Sequence, residues 1–224
     1  MITSNVVTRI FNLKYKNSMG TCFSIDIDNK QYFVTAKHVI ENLKDGDSIS
    51  ISRDDNEWEN FNVKLIGHSK YADVSVFALP ILLNGFALPA SSDGLIYGQD
   101  MYFLGFPFGL KANIGALNRG FPLPLVKKAI LSSIFHVDNI TFLLLDGFNN
   151  PGFSGGPVVF KKPNTKDFIV CGVVSSYRYE LVETLQDGKP TNIKAISNTG
   201  IIIAHSIESA LEIIKDNPNG VIIK

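Results

Sequence analysis

Short apolar or alternating segments, separated by turn-forming residues, are the feature that most limits the folds open to this chain of 224 residues. Alternation and short apolar runs are typical of β-strands, whereas an amphipathic helix shows a 3.6-residue period. Twelve such segments cover residues 6–14, 19–27, 31–35, 48–52, 60–66, 74–79, 100–104, 126–135, 141–145, 157–160, 168–176 and 200–204. The pattern predicts an all-β fold.

The strand segments fall into two groups, separated by residues rich in Pro, Gly and Ser. We therefore predict one unit over residues 1–80, a linker over 81–98 and a second unit over 99–205. In the remaining residues, 206–224, Ile207, Leu211 and Ile214 share one helical face and Ser206 is a candidate N-cap. This segment predicts a short C-terminal α-helix and tail.

The turn around Ser154 has the composition that a nucleophilic serine needs. It reads Gly152-Phe153-Ser154-Gly155-Gly156-Pro157. Glycines let the backbone bend so that the N–H groups of Gly152 and Ser154 can point at one oxyanion. Gly-Ser turns are also common in ordinary hairpin loops, so this string alone leaves both interpretations open.

A base and its orienting acid lie upstream of this serine. His38 follows an apolar strand segment, and Asp73 opens another, 35 residues later. In this interpretation Ser154 attacks the substrate as the nucleophile, His38 takes the proton of the Ser154 hydroxyl, and Asp73 fixes the tautomer of the His38 imidazole. Taken singly, the histidine and the aspartate would be read as structural residues, but the order His, Asp, Ser is that of chymotrypsin-type enzymes.

Four stretches resemble the trypsin-like serine peptidases, and within them the HtrA-like branch. They are Gly20-Thr21-Cys22-Phe23 with Val34-Thr35-Ala36-Lys37-His38-Val39; Asp73-Val74-Ser75-Val76-Phe77; Gly105-Phe106-Pro107-Phe108-Gly109-Leu110; and Asn150 to Pro157. The resemblance implies two six-stranded antiparallel β-barrels packed around a central cleft. It also implies a serine endopeptidase with catalytic His38, Asp73 and Ser154 and an oxyanion hole at Gly152 and Ser154.

The resemblance also implies a substrate-binding set. The residue matching Ser175 would hydrogen-bond the catalytic aspartate, and Ser176 and Tyr177 would line the entrance of the primary pocket. Phe148 would form its floor, beside the strand that carries Gly200. Without an acid at the floor, we expect a short apolar pocket and cleavage after small aliphatic residues. A shifted loop register, with Phe148 simply packed inward, is the alternative.

Three further features bear on the mode of action. Phe153 occupies the place where zymogen-activated relatives carry an acid, so we expect no activation through an N-terminal ion pair. The segments 111–125 and 178–196 are expected to be loops that flank the cleft, or else solvated surface. The alternative to an enzyme is a catalytically silent trypsin-fold module that binds proteins.

Composition excludes several other classes of function. The 21 basic and 21 acidic residues cancel, which gives no electrostatic reason to expect a nucleic-acid or membrane partner. Cys22 and Cys171 predict buried free thiols, and no histidine lies in a metal-ligand pattern, so we expect neither metal nor cofactor.

With no signal-like segment, the sequence predicts a cytoplasmic protein whose partners are a protein or peptide substrate and a possible regulatory protein.

Overall fold

The computed structural model describes residues 2–54, 57–83, 88–163, 165 and 167–223. After a short helix, α1 (Ser4–Val7), the first half of the chain forms one curled antiparallel sheet. Its strands are β1 (Ile10–Tyr15), β2 (Ser18–Ile27), β3 (Lys30–Thr35), β4 (Ser48–Ser52), β5 (Trp58–Asn62), β6 (Lys64–His68) and β7 (Ser75–Ala78). They are ordered β5-β4-β1-β2-β3-β7-β6.

The second half forms a closed antiparallel barrel. Its strands are β8 (Asp100–Gly105), β9 (Leu125–Val137), β10 (Ile140–Asp146), β11 (Pro157–Lys161), β12 (Phe168–Gln186) and β13 (Lys189–Ser206). They close in the order β10-β13-β12-β11-β8-β9. The predicted all-β fold with two curled sheets and a short terminal helix is therefore confirmed.

The first sheet has eight strands where six were expected. Residues 60–66, predicted as one strand, are divided at Val63 between β5 and β6, which pair with different neighbours. The eighth strand, β14 (Val221–Ile222), comes from the tail and pairs with β3. The tail therefore belongs to the first sheet in space, although it follows the second barrel in sequence.

The C-terminal helix α2 (Glu208–Asp216) ties the two halves together. Ile214 of this helix and Ile207, directly before it, belong to one buried cluster. The cluster also contains Val34 and Val76 of the first sheet and Val170 of the second barrel. Each sheet also encloses an apolar cluster of its own. Part of the predicted linker, residues 84–87, lies outside the described residues.

A long β-hairpin replaces the loop expected over residues 178–196. β12 and β13 remain paired as far as Gln186 and Lys189, with Asp187 and Gly188 as the turn. Beyond the barrel this hairpin is a two-stranded projection, here called the ribbon, made of residues 179–186 and 189–198.

Both cysteines are buried and free. Cys22 lies in β2 and Cys171 in β12, each within the core of its own sheet. Burial raises the pKa of both thiols far above its ordinary value.

Candidate active site

The histidine and the aspartate of the predicted triad are brought together by the first sheet. His38 lies in a single 3₁₀ turn, Lys37–Val39, directly after β3, and Asp73 lies just before β7, which pairs with β3. His38 Nδ1 is 2.7 Å from Asp73 Oδ2, and the backbone N–H of His38 donates to Asp73 Oδ1 at 2.9 Å. Asp73 therefore fixes both the imidazole ring and the turn that carries it.

The second barrel also holds this carboxylate. Ser175, in β12, donates its hydroxyl to Asp73 Oδ2 at 2.6 Å. Burial acts to raise the pKa of the Asp73 carboxyl, but the hydrogen bonds from His38 and Ser175 outweigh it and hold the pKa well below its ordinary value. The carboxylate thus stays ionised throughout the neutral range.

His205 is a functional candidate that sequence reasoning missed. It is buried in β13, and its Nε2 accepts the backbone N–H of Asp73 at 3.3 Å. Burial lowers the pKa of His205, and the charge of Asp73 opposes that shift. A neutral ring whose Nε2 accepts must carry its proton on Nδ1, an atom that is buried without a hydrogen-bond partner within the described ranges. No local sequence pattern signals this contact, because 132 residues separate the two partners.

The nucleophile turn is held against the first sheet by close backbone contacts. Gly155 has a φ of +83°, and a Cβ there would lie 2.2 Å from both the Thr21 carbonyl oxygen and Thr35 Oγ1. The Thr21 N–H in turn donates to the Ser154 carbonyl at 2.8 Å. Only glycine fits at 155, for reasons both of conformation and of space.

The Ser154 hydroxyl is directed at the second barrel. It donates to the carbonyl of Ser175 at 3.1 Å. Among the described residues, no hydrogen bond joins it to His38. The structure thus connects all three predicted triad residues through Ser175 and forms the His–Asp link, while the Ser–His link is not formed.

The N–H groups of Gly152 and Ser154 are both available to an oxyanion. Gly152 has a φ of +106°. The peptide that carries its N–H is held by the Pro151 carbonyl, which accepts the Phe108 N–H at 2.9 Å, and the following peptide is held by the Gly152 carbonyl, which accepts the Thr21 hydroxyl at 2.7 Å. Across the described part of the chain, neither of these two N–H groups has a hydrogen-bond acceptor. Unpaired N–H groups at the nucleophile and two residues before it are what oxyanion stabilisation needs.

Phe153 supports the turn through apolar packing. Its ring is fully buried and meets Phe103 edge-on, with centroids 4.9 Å apart. Gly105 provides the space, since a Cβ there would approach the Phe153 ring to 2.8 Å. The nucleophile turn is therefore anchored by an aromatic ring instead of an ion pair.

The pocket floor differs from the expectation. Phe148 is 54% exposed, and its backbone carbonyl accepts a hydrogen bond from the Lys127 ammonium. Its neighbour Asn149 is buried and donates through Nδ2 to the Ser176 carbonyl at 3.2 Å. Asn149 thus takes the inner position that was expected of Phe148.

Gly200 and the ribbon base set this orientation. Gly200 accepts the Gly147 N–H at 2.8 Å, and Asn198 Nδ2 donates to the Asn149 carbonyl at 2.7 Å. Of the predicted entrance residues, Ser176 is exposed and Tyr177 is half-buried. Tyr177 lines an open cavity of about 380 Å³ with Arg178, Tyr179 and Ile203.

No ligand set for a metal ion was found in the described portion of the chain. Nor is any helix there long and apolar enough to cross a membrane. The chemistry open to this arrangement is nucleophilic acyl transfer by a serine with a His–Asp pair beside it.

Comparison with known proteins identifies the class. A family model described as the trypsin-like peptidase domain matches residues 20–162, which contain all three predicted triad residues. The chain belongs to the trypsin-like peptidase family, a family of serine hydrolases.

Individual relatives place it in the HtrA branch. A probable periplasmic serine endoprotease, DegP-like, of Halomonas elongata is 30% identical over 153 residues, covering 64% of this chain and 27% of that protein. A protein of the same description from Chlamydia muridarum is 29% identical over 140 residues, covering 62% and 25%. The chain spans about a quarter of the length of the curated relatives it matches.

Solved structures agree on the fold. The HtrA-type protease AlgW, solved with a tripeptide, superposes with a TM-score of 0.64 at 22% identity, covering 95% of this chain and 61% of that chain. Rv3671c from M. tuberculosis H37Rv superposes with a TM-score of 0.62 at 15% identity, covering 96% and 89%. The predicted resemblance to HtrA-like trypsin-fold peptidases is confirmed.

The predicted cytoplasmic location is wrong when set against these relatives, which are described as periplasmic endoproteases. The prediction relied on the absence of a signal-like segment, and the two free cysteines give it no support. Both thiols are completely buried, and a thiol that neither ionises nor meets solvent is inert in any redox compartment.

Proposed function

We propose that this chain is a serine endopeptidase that hydrolyses peptide bonds of protein substrates through Ser154, His38 and Asp73. The observation that carries the proposal is the His38–Asp73 pair at 2.7 Å, connected through Ser175 to a serine whose turn has two N–H groups unpaired among the described residues. The remaining step is a rotation of the Ser154 side chain from the Ser175 carbonyl to His38 Nε2. Catalytic hydrogen bonds often tighten only when substrate is bound.

The reaction then proceeds by two acyl transfers. Ser154 Oγ bonds to the scissile carbonyl carbon while its proton passes to His38 Nε2, and the N–H groups of Gly152 and Ser154 hold the oxyanion. Asp73 stabilises the imidazolium. The C–N bond breaks as His38 protonates the leaving amine, which leaves an acyl-enzyme. Water, deprotonated by His38, attacks that ester and restores the Ser154 hydroxyl.

One observation favours a second candidate, a catalytically silent protein-binding module. The Ser154 hydroxyl is engaged by Ser175 instead of the base, which describes a resting site. A fluorophosphonate probe separates the two candidates, because it labels only an activated serine. We expect labelling of the wild type and of His136→Ala, an exposed histidine elsewhere, but none of Ser154→Ala or His38→Ala. Equal labelling of the His38→Ala protein would exclude the triad.

The pocket supports cleavage after small aliphatic residues. Asn149 fills the inner side of the 148–149 segment with an uncharged amide, which cannot neutralise Lys or Arg. Burying an unpaired cation costs several kcal/mol, on the order of the penalties seen for buried charges. A proteome-derived peptide library, run beside Ser154→Ala, should show cleavage after Val, Ala or Leu; cleavage mainly after Arg or Lys would contradict this.

The relatives also support a periplasmic location for the natural protein, which cell fractionation with an antibody would test. Finding the protein only with cytoplasmic markers would contradict it.

A further inference from the structure

The ribbon presents an apolar face. Leu181 and Ile196 lie directly opposite each other across the two strands, and Tyr179 lies two residues before Leu181. Side chains two residues apart on a strand share a face, so the three form one surface. They are 59%, 68% and 56% exposed, respectively. Nearer the tip, Leu185 and Ile193 are exposed as well.

The ribbon also has an open strand edge. β12 pairs with β11 only as far as Val173, and Val174 still bonds to Gly155 and Gly156. From there to Gln186, its ladder partners within the described residues all belong to β13 on the other side. An unpaired edge offers backbone N–H and C=O groups to any added strand.

This edge is continuous with the active site. β12 runs unbroken from Ser175, whose carbonyl accepts the Ser154 hydroxyl, to the ribbon tip. The open cavity of about 380 Å³ lies at the junction and is lined by Tyr177, Arg178, Tyr179 and Ile203. From Tyr177 to Gln186 the strand extends about 30 Å at the usual rise per residue.

We propose that the ribbon is an extended substrate-binding arm, which takes an unfolded apolar segment of the substrate lying N-terminal to the scissile bond. A strand added antiparallel to β12 runs from the ribbon tip toward Ser154, so it presents its C-terminal end to the nucleophile. Backbone hydrogen bonds hold the added strand, and its alternate apolar side chains cover Tyr179, Leu181 and Ile196. This inference rests on the proposed function, since it assigns the substrate of that same site.

The charges of the segment that contains most of the ribbon cancel, as expected if the bound segment is apolar. Residues 178–196 contain three basic and three acidic side chains, namely Arg178, Lys189, Lys194, Glu180, Glu183 and Asp187. They leave no net charge to select an acidic or a basic partner. Recognition by this arm therefore depends on apolar burial and backbone pairing.

Two peptide series with one cleavage sequence, Val preceding the scissile bond, test the proposal. One series is extended at its N-terminus by about eight alternating Leu and Thr residues, matching the length of the ribbon; the other has Ser and Thr instead. We expect the Leu extension to raise kcat/KM about tenfold or more over the unextended peptide, and the Ser extension to raise it far less.

Variants of the ribbon locate the effect. Leu181→Thr with Ile196→Thr keeps strand-forming residues but removes the apolar pair, and should abolish the gain from the Leu extension while leaving the short peptide unaffected. Val182→Thr is the matched control, because Val182 lies on the opposite face of the same ribbon, opposite Ala195. It should behave as wild type.

A binding measurement separates failure of this inference from failure of the proposed function. Ser154→Ala should bind the fluorescent Leu-extended peptide more tightly than the short one by anisotropy, and the ribbon double variant should remove the difference. If the peptides bind in this way but the wild type does not cleave them, the ribbon is a binding arm and the proposed endopeptidase activity is rejected. Three results would contradict the substrate-binding arm. The long and short peptides could bind with equal affinity, or kcat/KM could rise only when the peptide is extended at its C-terminus. The protein could also self-associate through the ribbon, with the association lost in the double variant and no effect of peptide length.

Discussion

Replacing Asp73 by Asn tests the chemistry of the His–Asp pair with little change of shape. Oδ1 accepts the His38 backbone N–H, and Oδ2 accepts both His38 Nδ1 and the Ser175 hydroxyl. The amide oxygen of Asn must remain on the Oδ1 side, because a backbone N–H can only donate. The amide NH₂ then faces His38 Nδ1. That ring nitrogen becomes an acceptor, its proton moves to Nε2, and the imidazole cannot take the proton of Ser154.

The expected loss of turnover is about 10⁴-fold near neutral pH, the size associated with a wrong tautomer in such triads. The free energy of unfolding should fall by only about 1–3 kcal/mol, since the three hydrogen bonds to this group lose their charge assistance while the packing is kept. Peptide hydrolysis and thermal unfolding should be measured together, with nitrogen NMR of the imidazole to assign the tautomer. Asp93→Asn, at an exposed loop position, is the control. Activity within about tenfold of wild type would refute the tautomer argument.

Two further substitutions test the supports of the site. His205→Leu leaves the Asp73 N–H without its acceptor and should lower kcat roughly 10- to 100-fold at unchanged KM. His205→Gln retains an acceptor and should recover most of the lost kcat. Equal losses of kcat in the two variants would show that His205 only fills space. Gly155→Ala should destabilise the fold by about 3 kcal/mol or more, because positive φ and a clash with the Thr21 carbonyl act together. Gly188→Ala, where φ is +76° and no atom lies within 4 Å of the added Cβ, carries the strain alone and should melt at a clearly higher temperature than Gly155→Ala.

Local patterns in the sequence predicted most of the strands and the three residues proposed for catalysis. A strand is encoded by its own alternation, and the glycines around Ser154 are required by backbone geometry within the turn. The ribbon was also open to prediction. Tyr179, Leu181 and Glu180 alternate, and Asp187-Gly188 is a strong two-residue hairpin signal. The charged residues of this segment suggested a loop, although an exposed ribbon accepts charge as readily.

The pocket and the second histidine could not be predicted in the same way. Whether Phe148 or Asn149 faces inward is decided by hydrogen bonds to Gly200 and Ser176, which are distant in sequence. The contact between His205 and the Asp73 backbone depends on how two separately folded sheets meet. Neither has a local sequence signature, because in both cases tertiary packing selects among orientations that the chain itself allows equally well.

The carboxylate of Asp73 is held from both halves of the molecule. His38 belongs to the first sheet, whereas Ser175 and His205 belong to the second barrel, and the hydrogen bonds that meet at Oδ2 are only 2.6–2.7 Å long. Of these two contacts only that of Ser175 crosses between the halves, and separating the halves by one ångström along it would lengthen it from 2.6 Å to about 3.6 Å, beyond hydrogen-bonding distance. On the proposed function, the packing between the halves therefore supports the triad, and we expect substitutions there, remote from Ser154, to reduce turnover while each half remains folded. A molecule bound across that seam would equally set the activity of the enzyme by setting the alignment of the halves.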